Sequence, residues 1–176
     1  MSESSLPAAL EEIFAAYSNP EILFPKLLKA IGEVIQCDRC FLLVRHPQTR
    51  IYRNFCWRRS LDLPNTETDA WQSEEEWEKE DPMFAAALRT VPPIFVSDIE
   101  TAPPEVLNVE FERNSLGHRA LVHAHIVDDG QLWGILQPCM FGQPREWTQS
   151  DRALISTVIE RLRQPVVDYV KSNSAE

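Results

Sequence analysis

The spacing of apolar residues predicts helices near the N-terminus. Apolar positions recur at helical intervals from Leu10 to Tyr17. They resume after Asn19-Pro20, where a capping residue precedes a proline suited to the first helical position. We therefore predict two helices, and we expect Pro25 to disturb the opening turns of the second one.

A long helix is predicted at the C-terminus. It opens with Thr148 and Asp151 in a capping-box arrangement, and Pro165 should kink it. Its apolar positions follow at helical spacing: Leu154, Ile155, Val158, Ile159, Leu162, Val166, Tyr169 and Val170.

Two predicted β-hairpins lie between these helices. Residues 40–44 and 51–57 read as strands joined by a turn at 46–49. Residues 120–127 and 132–140 form the second pair, joined by the turn sequence Asp128-Asp129-Gly130. Strands grouped apart from helices predict an α+β domain with an antiparallel sheet.

Shorter elements are predicted between the hairpins. We expect helices over residues 83–88 and 105–114 and a short strand at 94–96. Residues 73–81 hold six acids and one lysine, and we interpret this run as a solvated face. Nothing in the pattern marks a domain boundary, so we predict one domain at 6–171, with polar tails at 1–5 and 172–176.

Composition narrows the class of protein. The 176 residues carry a net charge of −10, which argues against nucleic acid and against an anionic membrane surface as partners. No stretch approaches the ~18 apolar residues that span a bilayer, and no signal peptide opens the sequence. These features predict a soluble, cytoplasmic protein whose four cysteines are free thiols.

The chain carries Cys-Asp-Arg at 37–39, Val-Ser-Asp-Ile at 96–99, Leu-Trp-Gly-Ile-Leu at 132–136 and Pro-Arg-Glu-Trp at 144–147. These motifs resemble those of GAF domains, and in particular those of phytochromes and cyanobacteriochromes. Residues 37–39 resemble the opening of the first strand of the family, and 96–99 the segment that precedes its pocket helix. Arg119 lies where the family enters a hairpin strand. The most specific match is Leu-Trp-Gly-Ile-Leu at 132–136, followed by Pro-Arg-Glu-Trp at 144–147.

The resemblance implies a GAF fold and a signalling role. It implies a central antiparallel sheet of five or six strands, with the N- and C-terminal helices on one face and short helices and loops over the other. It also implies a pocket over that second face. The expected lining residues are Trp57, Phe84, Phe95, Leu107, Phe111 and Leu121.

The residues that attach a bilin in related domains are missing from this sequence. The Cys-His pair of the bilin-binding relatives corresponds to Leu107 and Asn108. A second cysteine, found in some relatives within Asp-x-Cys-Phe, corresponds to Met83. Neither leucine nor methionine forms a thioether with a bilin, so we expect no covalent chromophore. We predict no cofactor, with a loosely held bilin or haem as the alternative.

The leading interpretation is therefore a stand-alone, non-catalytic regulatory domain that acts by protein contact. It requires a partner protein of unknown identity. GAF domains also commonly pair through their terminal helices, which implies a homodimer. Its contacts would come from the N-terminal helix and from Leu154, Ile155, Val158, Ile159 and Leu162.

The four cysteines leave two alternative functions open. Cys37 and Cys40 have Cys-x-x-Cys spacing, and the strands that carry Cys40, Cys56 and Cys139 are neighbours in the family's strand order. Four soft ligands would suit a metal or iron–sulfur redox sensor. A small cysteine-dependent reductase is the second alternative. However, Cys37 follows a helix C-terminus, where the dipole disfavours a thiolate, and buried packing is the simpler interpretation.

Two histidines on one predicted strand are a further candidate site. His123 and His125 are two residues apart and therefore share a face of the sheet. Such a pair can bind a metal or sense pH, and His118 lies just before the strand. Histidines that are simply hydrogen-bonded at the strand surface are the plainer alternative.

Overall fold

A six-stranded sheet forms the centre of the protein. The computed structural model describes residues 5–174. The sheet has the order β3-β2-β1-β6-β5-β4, and every neighbouring pair is antiparallel. The strands are β1 Arg39–Arg45, β2 Ile51–Arg58, β3 Gln72–Ser73, β4 Ile94–Val96, β5 Ala120–Asp128 and β6 Gln131–Met140. The predicted α+β class and both predicted hairpins are confirmed.

Three helices cover one face of this sheet. They are α1 Ala8–Ala16, α2 Pro20–Ile35 and α5 Gln149–Asn173. The Asn19 side chain accepts a hydrogen bond from the amide of Glu21 at the start of α2, and the Thr148–Asp151 capping box begins α5. Both helices continue through their internal prolines.

Short elements cover the other face. A 3₁₀ turn, Trp77–Lys79, leads into α3, Pro82–Leu88. Helix α4, Val109–Phe111, continues into a π-helical turn, Glu112–Leu116. Our prediction of a helix beginning at residue 105 is wrong, because the Asn108 side chain accepts a hydrogen bond from the amide of Phe111 and begins the helix there.

Successive side chains of each strand point to opposite faces of the sheet and pack into separate cores. On β1, Cys40 and Leu42 pack with the helices, whereas Phe41 and Leu43 face the short elements. The helix-side core includes Ile155, Val158 and Leu162, all almost fully buried within the protomer. These three residues are therefore unavailable as a dimer surface, which corrects that part of our prediction.

The C-terminal boundary also needs correction. Helix α5 extends to Asn173, and the buried Ser174 donates a hydrogen bond from its hydroxyl to the carbonyl of Val170. Residues 172–174 are thus not a tail. Residues 1–4 and 175–176 lie outside the described part of the chain. Over the described residues, no helix is long and apolar enough to cross a membrane.

Candidate functional site

A cavity of about 430 Å³ lies between the sheet and its short covering elements. This size falls within the range of small-molecule pockets. Strands β1, β2, β5 and β6 form its floor, with Phe41, Asn54, His123 and Gln137 among the residues that line it. The α3 helix and the π-helical turn contribute further walls through Phe84 and Ser115.

Aromatic side chains form one wall of the cavity. The rings of Tyr52 and Trp77 lie edge to face with centroids 4.8 Å apart, and Trp77 lies edge to face with Phe84 at 5.3 Å. Phe41 and Phe111 line other parts of the same space. These edge-to-face contacts fix the position of the wall and present apolar surface to an occupant.

The acid-rich segment 73–81 forms much of the entrance. The side chain of Glu74 is buried and bonds to both Arg45 and Arg50, so our interpretation of the whole run as a solvated face is wrong. Arg50 also pairs with Glu78, which lowers the pKa of that carboxyl to about 2. These ion pairs hold the segment against the sheet edge.

Asp81 is a buried acid among the residues that line the cavity. Its carboxylate accepts a hydrogen bond from the amide of Met83 at 3.0 Å and caps α3. Burial, and then the nearby charge of Glu112, raise the pKa of Asp81 to about 7. A buried acid with a shifted pKa in a cavity is a typical feature of a functional site.

His123 and His125 form a relay with a defined direction. The Nδ1 atom of His125 lies 2.7 Å from the carbonyl oxygen of Val91, which can only accept, so His125 carries its proton there. Its Nε2 therefore accepts from Nδ1 of His123, 2.7 Å away. Burial lowers the pKa of both rings, that of His123 well below its usual range. Neutral His123 is left with Nε2 as an acceptor.

A second buried relay lies beside the cavity. Arg39 donates to Nδ1 of His118 at 3.3 Å, and Nε2 of His118 lies 2.5 Å from a carboxylate oxygen of Glu112. Because an arginine can only donate, His118 carries its proton on Nε2 and donates it to Glu112. Burial raises the pKa of Glu112 to about 8, against the opposing effect of Arg39. Arg39, Asp81 and Glu112 were not among the site residues predicted from the sequence.

The six predicted lining residues are divided between the two faces of the sheet. Phe84 and Phe111 line the cavity. Leu107 and Leu121 are buried in an adjoining apolar cluster on the same side. Trp57 and Phe95 pack against the helix-side core, so placing them in the pocket was wrong. Successive side chains of a strand point to opposite faces of the sheet, and those of Trp57 and Phe95 point away from the cavity.

The cysteines do not assemble into one site. Cys37 and Cys40 belong to the helix-side core, and Cys139 is buried on the opposite side with half-buried Cys56 beside its cluster. Over residues 5–174, no group of three or more His, Cys, Asp or Glu side chains is arranged to hold a metal ion. The alternative of a metal or iron–sulfur redox sensor built from these four cysteines is therefore wrong. The histidine pair is likewise engaged in hydrogen bonds rather than in a ligand set.

The thiols also give little support to a cysteine-dependent reductase. A hydrogen bond with Cys40 lowers the pKa of the Cys37 thiol, whereas burial raises that of Cys40 well above its usual range. Both thiols are fully buried. Among the described residues that line the cavity, none is a cysteine. A reactive thiol must be accessible to its substrate.

Comparison with known proteins identifies the class. The GAF domain family matches residues 19–164, so the chain belongs to that family. GAF domains are generally regulatory, ligand-sensing domains. Comparison with curated protein sequences finds no match.

Solved structures of low sequence identity share the fold. The phycoerythrobilin-bound GAF domain from a cyanobacterial phytochrome is 16% identical with a TM-score of 0.71, covering 96% of this chain and 98% of that one. The cyanobacteriochrome TePixJ GAF domain is 17% identical with a TM-score of 0.66, covering 90% and 95%. The GAF domain from Acinetobacter phosphoenolpyruvate-protein phosphotransferase is 7% identical with a TM-score of 0.67, covering 93% and 94%.

Proposed function

We propose that this protein is a non-catalytic regulatory domain that holds no covalent bilin and transmits its state through contact with a partner protein. The observation that carries the proposal is the composition of the cavity wall, which includes no cysteine among the described residues. The positions that correspond to the attachment cysteines of related domains, Leu107 and Met83, are buried in the neighbouring apolar cluster.

The position of Asn108 also supports this proposal. It corresponds to the histidine that orients the bilin in relatives, but here its side chain begins α4 and donates a hydrogen bond to the carbonyl of Glu80. Asn108 thus ties the π-helical region to the acid-rich segment. We place the protein in the cytoplasm, where its four free thiols stay reduced.

Co-expression with bilin-synthesis enzymes tests the absence of attachment. We expect the purified, denatured chain to keep its unmodified mass and to show no bilin fluorescence in the presence of zinc, because no thiol reaches the cavity. A phycocyanobilin-binding GAF domain from a cyanobacterial phytochrome, expressed in the same cells, serves as the positive control. A mass increase equal to one bilin on this chain would contradict the proposal.

A further inference from the structure

One hydrogen-bond acceptor in the cavity has a fixed orientation. His123 lines the cavity, and the relay through His125 to Val91 leaves its Nε2 as an acceptor without a partner in the described part of the chain. Asn54 donates its amide to the carbonyl of Thr66 at 2.8 Å, which fixes its orientation. Its side-chain oxygen remains unpaired although the residue is only 5% exposed.

Gln137 adds a second unpaired amide oxygen. Its side chain is 6% exposed, lines the cavity, and has an oxygen with no hydrogen-bond partner among residues 5–174. Buried acceptors without partners cost free energy, and native proteins satisfy nearly all of them with protein, water or ligand. Both amide oxygens have almost no accessible surface, so the acceptor of His123 is the one of these three that an occupant with N–H groups can reach.

The charge of the wall has one sign. Asp81 lies inside and the exposed Glu75 and Glu80 lie at the entrance, whereas none of the described lining residues is Lys or Arg. Three arginines lie near the cavity, and two of them are neutralised by a carboxylate. Arg45 and Arg50 bind Glu74, and Arg39 donates to the carbonyls of Pro64 and Leu116. An anionic occupant would therefore be repelled and a cationic one attracted.

The aromatic wall favours the same occupant. Cations are attracted to the faces of Trp, Tyr and Phe rings, and the attraction grows when the site is shielded from water. Tyr52, Trp77 and Phe84 form a continuous aromatic surface at the cavity. The acidic groups, the acceptor of His123 and the aromatic rings thus all point to one chemistry.

We infer that the cavity binds a small organic cation rich in N–H donors, such as an amidinium, guanidinium or primary ammonium compound. The inference rests on the proposed regulatory function only in treating the cavity as a ligand site. The N–H groups would pair with Asp81 and His123, while the body of the ligand packs on the aromatic wall.

Three probes of nearly equal size separate charge from shape. Benzamidine is a cation with four N–H donors, benzamide is neutral, and benzoate is an anion. We expect calorimetric titration to rank their affinities in that order, with benzamidine about tenfold or more tighter than benzamide. Equal binding of the three, or no binding of benzamidine, would overturn the inference and indicate that water satisfies the acceptors.

Substitution of Asp81 assigns the effect to the cavity. Asp81→Asn removes the charge but keeps a good capping residue for α3. We expect it to weaken benzamidine binding about tenfold or more and to leave benzamide binding nearly unchanged. The control is Asp128→Asn, which makes the same charge change at the far end of β5. Equal loss of affinity in the two variants would contradict the assignment.

Binding should also depend on pH. Asp81 faces Glu112 from the π-helical turn, Glu80 from its own segment and neutral His123 from β5, and Arg39 lies beyond Glu112. Because a bound cation favours ionised carboxylates, we expect the affinity for benzamidine to rise between about pH 6 and about pH 8. Asp81→Asn should reduce that rise. A pH-independent affinity in the unsubstituted protein would contradict a role for Asp81.

The experiments on bilin and on cations can fail separately. A covalent bilin adduct would refute the proposed function without bearing on the ranking of the three probes. A failed ranking in a protein of unmodified mass would refute the cationic ligand alone.

Discussion

Three buried polar side chains form a chain at the edge of the cavity. Arg39 bonds to His118, and His118 bonds to Glu112, whose second oxygen has no partner in the described structure. All three are almost completely shielded from water. Because the charge of Glu112 raises the pKa of Asp81, the protonation of one carboxyl affects the pKa of the other.

We expect Glu112→Gln to change how stability depends on pH. Glu112 has a folded pKa of about 8, above its unfolded value, so the folded state binds the extra proton between about pH 4 and about pH 8. Its contribution to stability is therefore highest below about pH 4 and is lost as pH rises through 8. Glutamine removes this loss, so the free energy of unfolding should fall less across that range.

Urea unfolding at several pH values measures the effect. Glu110→Gln is the control, because Glu110 is exposed on the same turn of chain. The same pH dependence in Glu112→Gln and in the unsubstituted protein would show that Glu112 ionises normally in the folded state.

At the scale of elements, the close packing of α2 against β2 depends on one small residue. Gly32 is buried in α2 directly against the ring of Trp57 from β2. A methyl group built at Gly32 would overlap that ring. The close approach explains why a residue of poor helix propensity lies in the middle of α2.

We expect Gly32→Ala to destabilise the fold by about 1–3 kcal/mol, despite the higher helix propensity of alanine, because the Trp57 ring must move. Guanidinium unfolding measures the difference. Lys29→Ala is the control, since Lys29 lies on the exposed face of α2. Adding Trp57→Leu should recover part of the loss. A Gly32→Ala protein as stable as the parent would show that the Trp57 ring can move aside without a cost in stability.

At the scale of the whole molecule, α1 and α5 define the surface on which we propose a homodimer. Arg161 of α5 bonds to Glu11 of α1 at 2.9 Å and lies over the ring of Phe14. Leu154 is seven residues before Arg161 and therefore shares its flank of α5. Ile159, five residues after Leu154, lies on the opposite flank. We therefore propose that the dimer contact is formed by α1 and by the flank of α5 that carries Leu154, and not by the flank that carries Ile159.

Light scattering with size-exclusion chromatography tests the proposed dimer. We expect a dimer at micromolar concentration that Leu154→Glu weakens, because a charge would be buried in the contact. Ile159→Glu is the control, since Ile159 is also half-buried on α5 but lies on the other flank. A monomer of the unsubstituted protein, or equal dissociation by both variants, would contradict the proposal.

Local interactions explain what could be predicted from the sequence. The caps at Asn19 and Thr148 act within four residues, and the turn at Gly130 joins strands that are adjacent in the chain. The class of fold followed from such signals and from the family motifs. The residues of the cavity were harder to predict, because a shift of one position along a strand moves a side chain to the other face of the sheet. Trp57 and Phe95 lie on the face opposite the cavity.

By itself, the sequence determined the order of elements, the hairpins, the family and the lack of cysteines at the expected attachment positions. Only the tertiary structure decided which polar groups meet. The side chain of Glu74 is buried because arginines 29 and 24 residues away bond to it. His123 presents an acceptor because His125 donates to Val91, 34 residues away. Capping and periodicity act over a few residues, whereas burial, pKa shifts and the charge of a cavity arise from contacts between distant parts of the chain.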